Sequence, residues 1–168
     1  MSKSIWILVI IAIFFGGIFW TLSETQINTD MPFYLKKYTK RTVVVQIGEL
    51  KIDAEIAKTP EQREKGLSGR VALGENRGML FIMDKPAIYS FVAKDMKFSF
   101  DIIWIKDNKV VDMTKNVPIP EIGEPLKTYE PLFEANYALE MTGGFCDTHD
   151  IKTGLEVIID LTNIKEIK

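Results

Sequence analysis

Cysteine is nearly missing from these 168 residues. Cys146 stands alone, so no intrachain disulfide can form and the fold must be held by packing and hydrogen bonds. Histidine is as scarce, with His149 the single example. A structural zinc site wants about four ligands, usually in two spaced pairs, and the run Cys146-Asp147-Thr148-His149-Asp150 has no second pair to work with. A calcium loop of the Asp-x-Asp-x-Asp-Gly kind is lacking too. We therefore expect no metal and no cofactor. Charge of one sign is also missing: 21 basic and 23 acidic residues are mixed along the chain, for a formal net charge of −2. Without a basic stripe to meet a phosphate backbone, nucleic acid is not expected as a partner.

Uncharged apolar sequence of membrane-crossing length occurs once. Ile5 to Leu22 holds 18 residues without a charge, and at about 1.5 Å per helical residue it reaches across the hydrocarbon of a bilayer. Lys3 precedes it, whereas Glu24 and Asp30 are the first charges after it, which leaves the N-terminus inside and everything downstream outside. Trp6 and Trp20 stand near the two ends, where indole rings favour the headgroup zone. We expect an anchor or signal segment over 1–22 that contacts membrane lipid through Ile5 to Leu22. A linker over 23–41 and an exported domain over 42–168 follow it. The alternative is secretion after cleavage near Ser23, because Thr21-Leu22-Ser23 loosely resembles a small-x-small site.

Beyond the linker, β-branched residues become dense. Val43 to Ile47 and Leu50 to Ile56 flank Gly48-Glu49 with apolar and polar residues alternating, the pattern of a hairpin. Thr59-Pro60-Glu61-Gln62 has a capping threonine, proline at the first helical position and a glutamine at the third, so a short helix starts at Pro60 and stops at Gly66. Met79 to Met83 and Tyr89 to Ala93 read as short strands separated by Asp84-Lys85-Pro86. Ile102 to Ile105 and Val110 to Met113 form a second hairpin, and Val117 to Glu134 is irregular because its prolines cannot donate to a ladder. Tyr137 to Met141 and Leu155 to Leu161 are the last strands, with a helical turn after Gly144. This pattern predicts a mainly β (α+β) fold, a single partly closed antiparallel barrel or sandwich with one or two short helices.

The run Thr59-Pro60-Glu61-Gln62-Arg63-Glu64-Lys65-Gly66-Leu67-Ser68-Gly69-Arg70 matches every fixed position of Thr-Pro-x-x-Arg-x-x-Gly-Leu-x-x-Arg. Gly78-Met79-Leu80-Phe81, Phe91, Lys94, Asp101-Ile102, Val117-Pro118, Tyr129, Pro131, Leu139-Glu140, Ile151 and Gly154 continue the series in order. Through these residues the chain resembles the family called domain of unknown function 192. The resemblance implies a small, mixed β domain that is often exported, and it implies no reaction. The chain departs from the family pattern at Phe91-Val92-Ala93-Lys94-Asp95-Met96, where the family usually writes Phe-Trp-Met-Lys-Asn-Thr, and at Ser99, where many members carry proline.

Candidate chemistry gathers at Lys94, Asp95 and Asp101, one cation and two carboxylates within eight residues that can hold a polar ligand, with Arg70 and Glu140 as further members of the site. The plainer reading is that the aspartates satisfy loop N–H groups and pair with Lys94 or an arginine. Arg63 is expected to tie the short helix to the sheet. Three functions follow. The first is an exported binding or accessory module for a polar small molecule, a glycan or an envelope partner. The second is a small envelope hydrolase using Asp101 with Lys94 or His149, and the third is a structural envelope protein without a ligand.

Overall fold

The computed structural model describes residues 42–162, so the expected anchor and linker lie outside the described residues. Among the described residues no helix is long and apolar enough to cross a membrane. Strand β1 (Thr42–Ile47) buries Val43, Val45 and Ile47 on one side, and the Gly48-Glu49 turn returns the chain as β2 (Leu50–Ala57) in the expected antiparallel register. Helix α1 (Pro60–Lys65) begins in the capping box that the sequence announces. Thr59 accepts from the Gln62 N–H, and the Gln62 side chain accepts from the Thr59 N–H. Such a cap is worth about 1 kcal/mol, which matters for a helix this short. Arg63 does tie the helix to the sheet, donating to the Ile82 carbonyl at 3.1 Å.

Strand β3 (Arg77–Ala87) corrects two expectations. It pairs with β2 in parallel, from Asp53 opposite Arg77 to Ala57 opposite Phe81, so the sheet is not antiparallel throughout. The connection 58–76 is long enough to cross over, which a parallel pair requires. β3 also runs through Asp84-Lys85-Pro86, read from sequence as a turn. Pairing with β8 (Ala135–Thr142) jumps from Ile82 opposite Tyr137 to Ala87 opposite Ala135, and the irregularity removes the ladder bond that Pro86 could not make. The expected strand at 89–93 shrinks to β4 (Phe91–Val92), which pairs with β7 (Thr128–Tyr129) in a small second sheet.

β5 (Phe100–Lys106) and β6 (Lys109–Val117) form the second hairpin, α2 (Phe145–Thr148) is the helical turn after Gly144, and β9 (Val157–Ile159) is the last strand. The main sheet has the order β6-β5-β8-β3-β2-β1-β9. It curls into a half-barrel whose two margins meet at one end. There the Gly154 N–H donates to the Val110 carbonyl at 2.7 Å, the Val110 N–H to Leu155 at 3.0 Å, and the Val157 N–H to Asn108 at 2.8 Å. The inner face packs Val45, Ile52, Leu80, Ile103, Leu139 and Val157 with Cys146 and Ile151. The outer face is covered as well: Met79, Phe81, Phe100, Ile102 and Trp104 lie under Leu67, Ala93 and Met96 from the loops. Phe91 meets Phe81 and Trp104 edge to face, with ring centroids 4.9 and 5.0 Å apart.

Candidate functional site

Strand parity decides which candidate residues can meet. Side chains alternate between the two faces of a strand, and β5 pairs with β8 with Asp101 opposite Met141 and Ile102 opposite Glu140. Asp101 therefore points inward with Met141, while Glu140 points outward with Ile102. One residue of offset puts the two carboxyls on opposite sides of the sheet.

Inside, Asp101 is completely buried. Its Oδ1 accepts from the Asn116 N–H at 2.7 Å and the Gly144 N–H at 3.1 Å, and its Oδ2 accepts from the Cys146 N–H at 2.8 Å. The Asn116 donor exists because β6 bulges there: Phe100 faces Val117 but Ile102 faces Thr114, leaving Lys115 and Asn116 against Asp101 alone, with Asn116 at φ 51°. The other two donors belong to the turn into α2, where Gly144 sits at φ 84° and a Cβ on Gly143 would strike Ser99. Asp101 makes no ion pair with Lys94 and no hydrogen bond with His149 among the described residues. It fastens β6 and α2 to β5. Cys146, held in the same place, is buried, and burial followed by the neighbouring Asp101 carboxylate pushes its thiol up to about 12. A thiol so placed is held protonated and away from solvent.

Outside, the register brings Glu55, Met79, Glu140 and Ile102 into one row across β2, β3, β8 and β5. Arg70 reaches over this row from the crossover loop and forks onto Glu55, with Nη1 to Oε1 and Nη2 to Oε2 both at 2.6 Å. Two parallel charge-assisted bonds fix both side chains. The loop that carries Arg70 is itself stitched to the Lys94-Asp95 loop: Ser68 Oγ donates to the Lys94 carbonyl at 2.8 Å and the Gly69 N–H to the Asp95 carbonyl at 2.9 Å. Asp95 turns there at φ 55°, and the Lys94 and Asp95 side chains are exposed.

Glu140 is the unusual member. It is 5% exposed and has no hydrogen-bond partner among the described residues, yet Asn136 Oδ1 is the one described side-chain polar atom both sealed from solvent and unpartnered. The Glu140 oxygens are therefore not fully sealed from solvent. Burial pushes this carboxyl up to about 8, against the opposing pull of the Arg70 guanidinium. A carboxylic acid in that range carries its proton near neutral pH and both donates and accepts.

Of the five residues singled out from sequence, Arg70 and Glu140 share this site, Lys94 and Asp95 border the Arg70 loop through their carbonyls, and Asp101 lies on the other side of the sheet. Glu55 was missed. The alternation of β2 assigns it to a solvent face with Lys51 and Asp53, and its only signal was the need of a loop arginine for a carboxylate. A cleft of about 310 Å³ between residues 73–77 and 141–149 was also missed, since its walls are far apart in sequence.

The model of the family domain of unknown function 192, described as an uncharacterized ACR, matches residues 43–159. A comparison with curated proteins gives no match. Among solved structures, the chain is similar to a protein of unknown function from Novosphingobium aromaticivorans DSM 12444, at 26% identity and a TM-score of 0.60, over 70% of this chain and 83% of that one. It is also similar to a Sinorhizobium meliloti 1021 protein named a "putative transcription regulator", at 22% identity and a TM-score of 0.62, over 70% of this chain and 92% of the other. The second likeness speaks to fold alone. With the family match spanning both hairpins, the crossover loop and the Glu140 strand, this chain belongs to the family domain of unknown function 192.

Proposed function

We propose that the chain is a binding or accessory module that takes a polar, hydroxyl-bearing small molecule or glycan at the Glu140–Arg70 site and is held outside a membrane by residues 5–22. The observation that carries the reading is the Glu140 carboxyl, buried, without a hydrogen-bond partner among the described residues and not fully sealed from solvent, beside an arginine already locked in place. Buried polar groups are almost always satisfied, so a hydroxyl that exchanges hydrogen bonds with Glu140 and accepts from Arg70 completes the site. Lys94 and Asp95 form its rim. The apolar run and its flanking charges support the anchoring.

A thermal-shift series on the full chain in detergent, against monosaccharides, polyols and small amides, tests the binding reading. At least one hydroxyl-rich compound should raise the melting temperature, because a ligand of the native state stabilises it. Glu140→Gln and Lys94→Ala should each reduce that response by about tenfold in half-saturating concentration, and Lys94→Ala should leave the unliganded melting temperature unchanged. An identical response in both variants would dismiss the site. For the anchor, carbonate-washed membranes should retain the full chain, and protease added from outside should remove the domain. Recovery of a mature chain lacking residues 5–22 would point to cleavage instead.

A further inference from the structure

A second place on the molecule has the attributes of a ligand site, and none of Glu55, Arg70 or Glu140 lines it. The cleft of about 310 Å³ lies between the segment that leads into β3 and the turn that forms α2. Its volume is at the lower end for small-molecule pockets. Leu73 and Phe145 supply apolar wall, and the His149 ring lies against Phe145 with centroids 4.3 Å apart. Arg77 stands on the lining with neither ion pair nor hydrogen bond to its guanidinium among the described residues, its stem laid across Gly74, where a Cβ would come within 3.2 Å of Arg77 Cδ. Glu75 lies on the same lining and is likewise without an ion pair among the described residues.

One wall is rigid because the Gly144–Cys146 backbone hangs from the buried Asp101 carboxylate. Preorganised walls lower the cost of binding. Arg77, exposed and without an ion pair among the described residues, selects a single negative charge, and the nearby exposed Glu75 carboxylate disfavours a dianion. The apolar wall asks for a compact hydrocarbon body. We infer that the cleft formed by Leu73–Arg77 and Met141–His149 binds a small monocarboxylate with an aromatic or branched apolar body, its carboxylate on Arg77 and its body against Leu73 and Phe145.

Because His149 is the only histidine, isotope labelling of histidine gives one ring signal from within the cleft. The full chain in detergent at fixed pH is titrated with benzoate, with benzyl alcohol as the uncharged match and inorganic phosphate as the anion without a body. The expected result is a saturable shift of the His149 ring signal with benzoate and none with either control. Arg77→Ala should weaken benzoate at least tenfold, Arg77→Lys should keep most of the affinity, and Glu75→Gln should tighten it by up to about fivefold, the scale of one partly exposed charge. No saturable shift with benzoate overturns the inference. Equal shifts with benzyl alcohol would show a merely apolar crevice, and equal shifts with phosphate an anion contact without a pocket; either result overturns it too.

Discussion

Between about pH 4.5 and pH 8 the wild-type chain should lose stability that a Glu140→Gln variant keeps. Glu140 has its carboxyl pushed up to about 8 in the folded protein, from an ordinary value of 4.5. Within that window the folded chain holds a proton that the unfolded chain has released, so unfolding gains ground as the pH rises. Below the window both states are protonated and above it both are ionised, so the loss starts near 4.5, is complete near 8, and stays constant beyond. Each tenfold difference in proton affinity between the two states is worth about 1.4 kcal/mol, which makes the total on the order of 5 kcal/mol. Glutamine keeps the shape and cannot ionise. The two proteins should melt within about 1 kcal/mol of each other at the acid end and diverge by several at the alkaline end, followed by urea denaturation at a series of pH values. Parallel curves would mean that Glu140 is ionised throughout. Arg70→Gln supplies the counter-test: the guanidinium opposes the upward push of burial, so its removal should move the midpoint of the wild-type loss further alkaline.

Asp101→Ala should be the most damaging single change on the inner side. The substitution leaves the N–H groups of Asn116, Gly144 and Cys146 without their acceptor, and that of Cys146 lies in a fully buried place. Removing one partner from a buried charged network costs about 3 to 5 kcal/mol, a large part of the stability of a domain this size. Asp101→Asn should cost less, since its carbonyl still accepts while its amide donates toward an N–H that needs an acceptor. The sharper readout is local. In the wild-type protein Cys146 should resist iodoacetamide under native conditions, being buried and pushed up to about 12. In Asp101→Asn the α2 turn is released and Cys146 should alkylate while the rest of the fold still melts cooperatively. If alkylation stays as slow as in wild type, Asp101 does not hold α2.

Both hairpins, the capped helix and the turn after Gly144 were legible because each is written locally: alternation for strands, Thr59 and Gln62 for the cap. What could not be read was register between distant segments. Whether Asp101 and Glu140 share a face depends on how β5 meets β8, strands separated by β6, β7 and a proline-rich loop, and nothing in either strand states the pairing. The parallel β2–β3 pair escaped for a similar reason, as its crossover is mostly loop and lacks the long helix that usually announces one. Pro86 misled because a proline inside a strand is allowed only where pairing is interrupted, and the interruption between Ile82 and Ala87 has no mark of its own. Glu55 looked like a solvent residue, which it would be on a one-sided sheet; the loops that cover the outer face made it a partner for Arg70.

The seam at residues 154–157 concerns more than closure of the half-barrel. A sheet margin with bare N–H and C=O groups is a template for the next chain, and proteins guard such margins against aggregation. Here one short stretch does this at one end for both sides at once, bonding to Val110 of β6 and to Asn108 in the turn before it and running on as β9 against β1. Everything that precedes it can complete its pairing and still present two sticky borders. Until residues 154–159 are in place both borders near the seam stay bare, so damage confined to that stretch would act on association between molecules before it acted on the core.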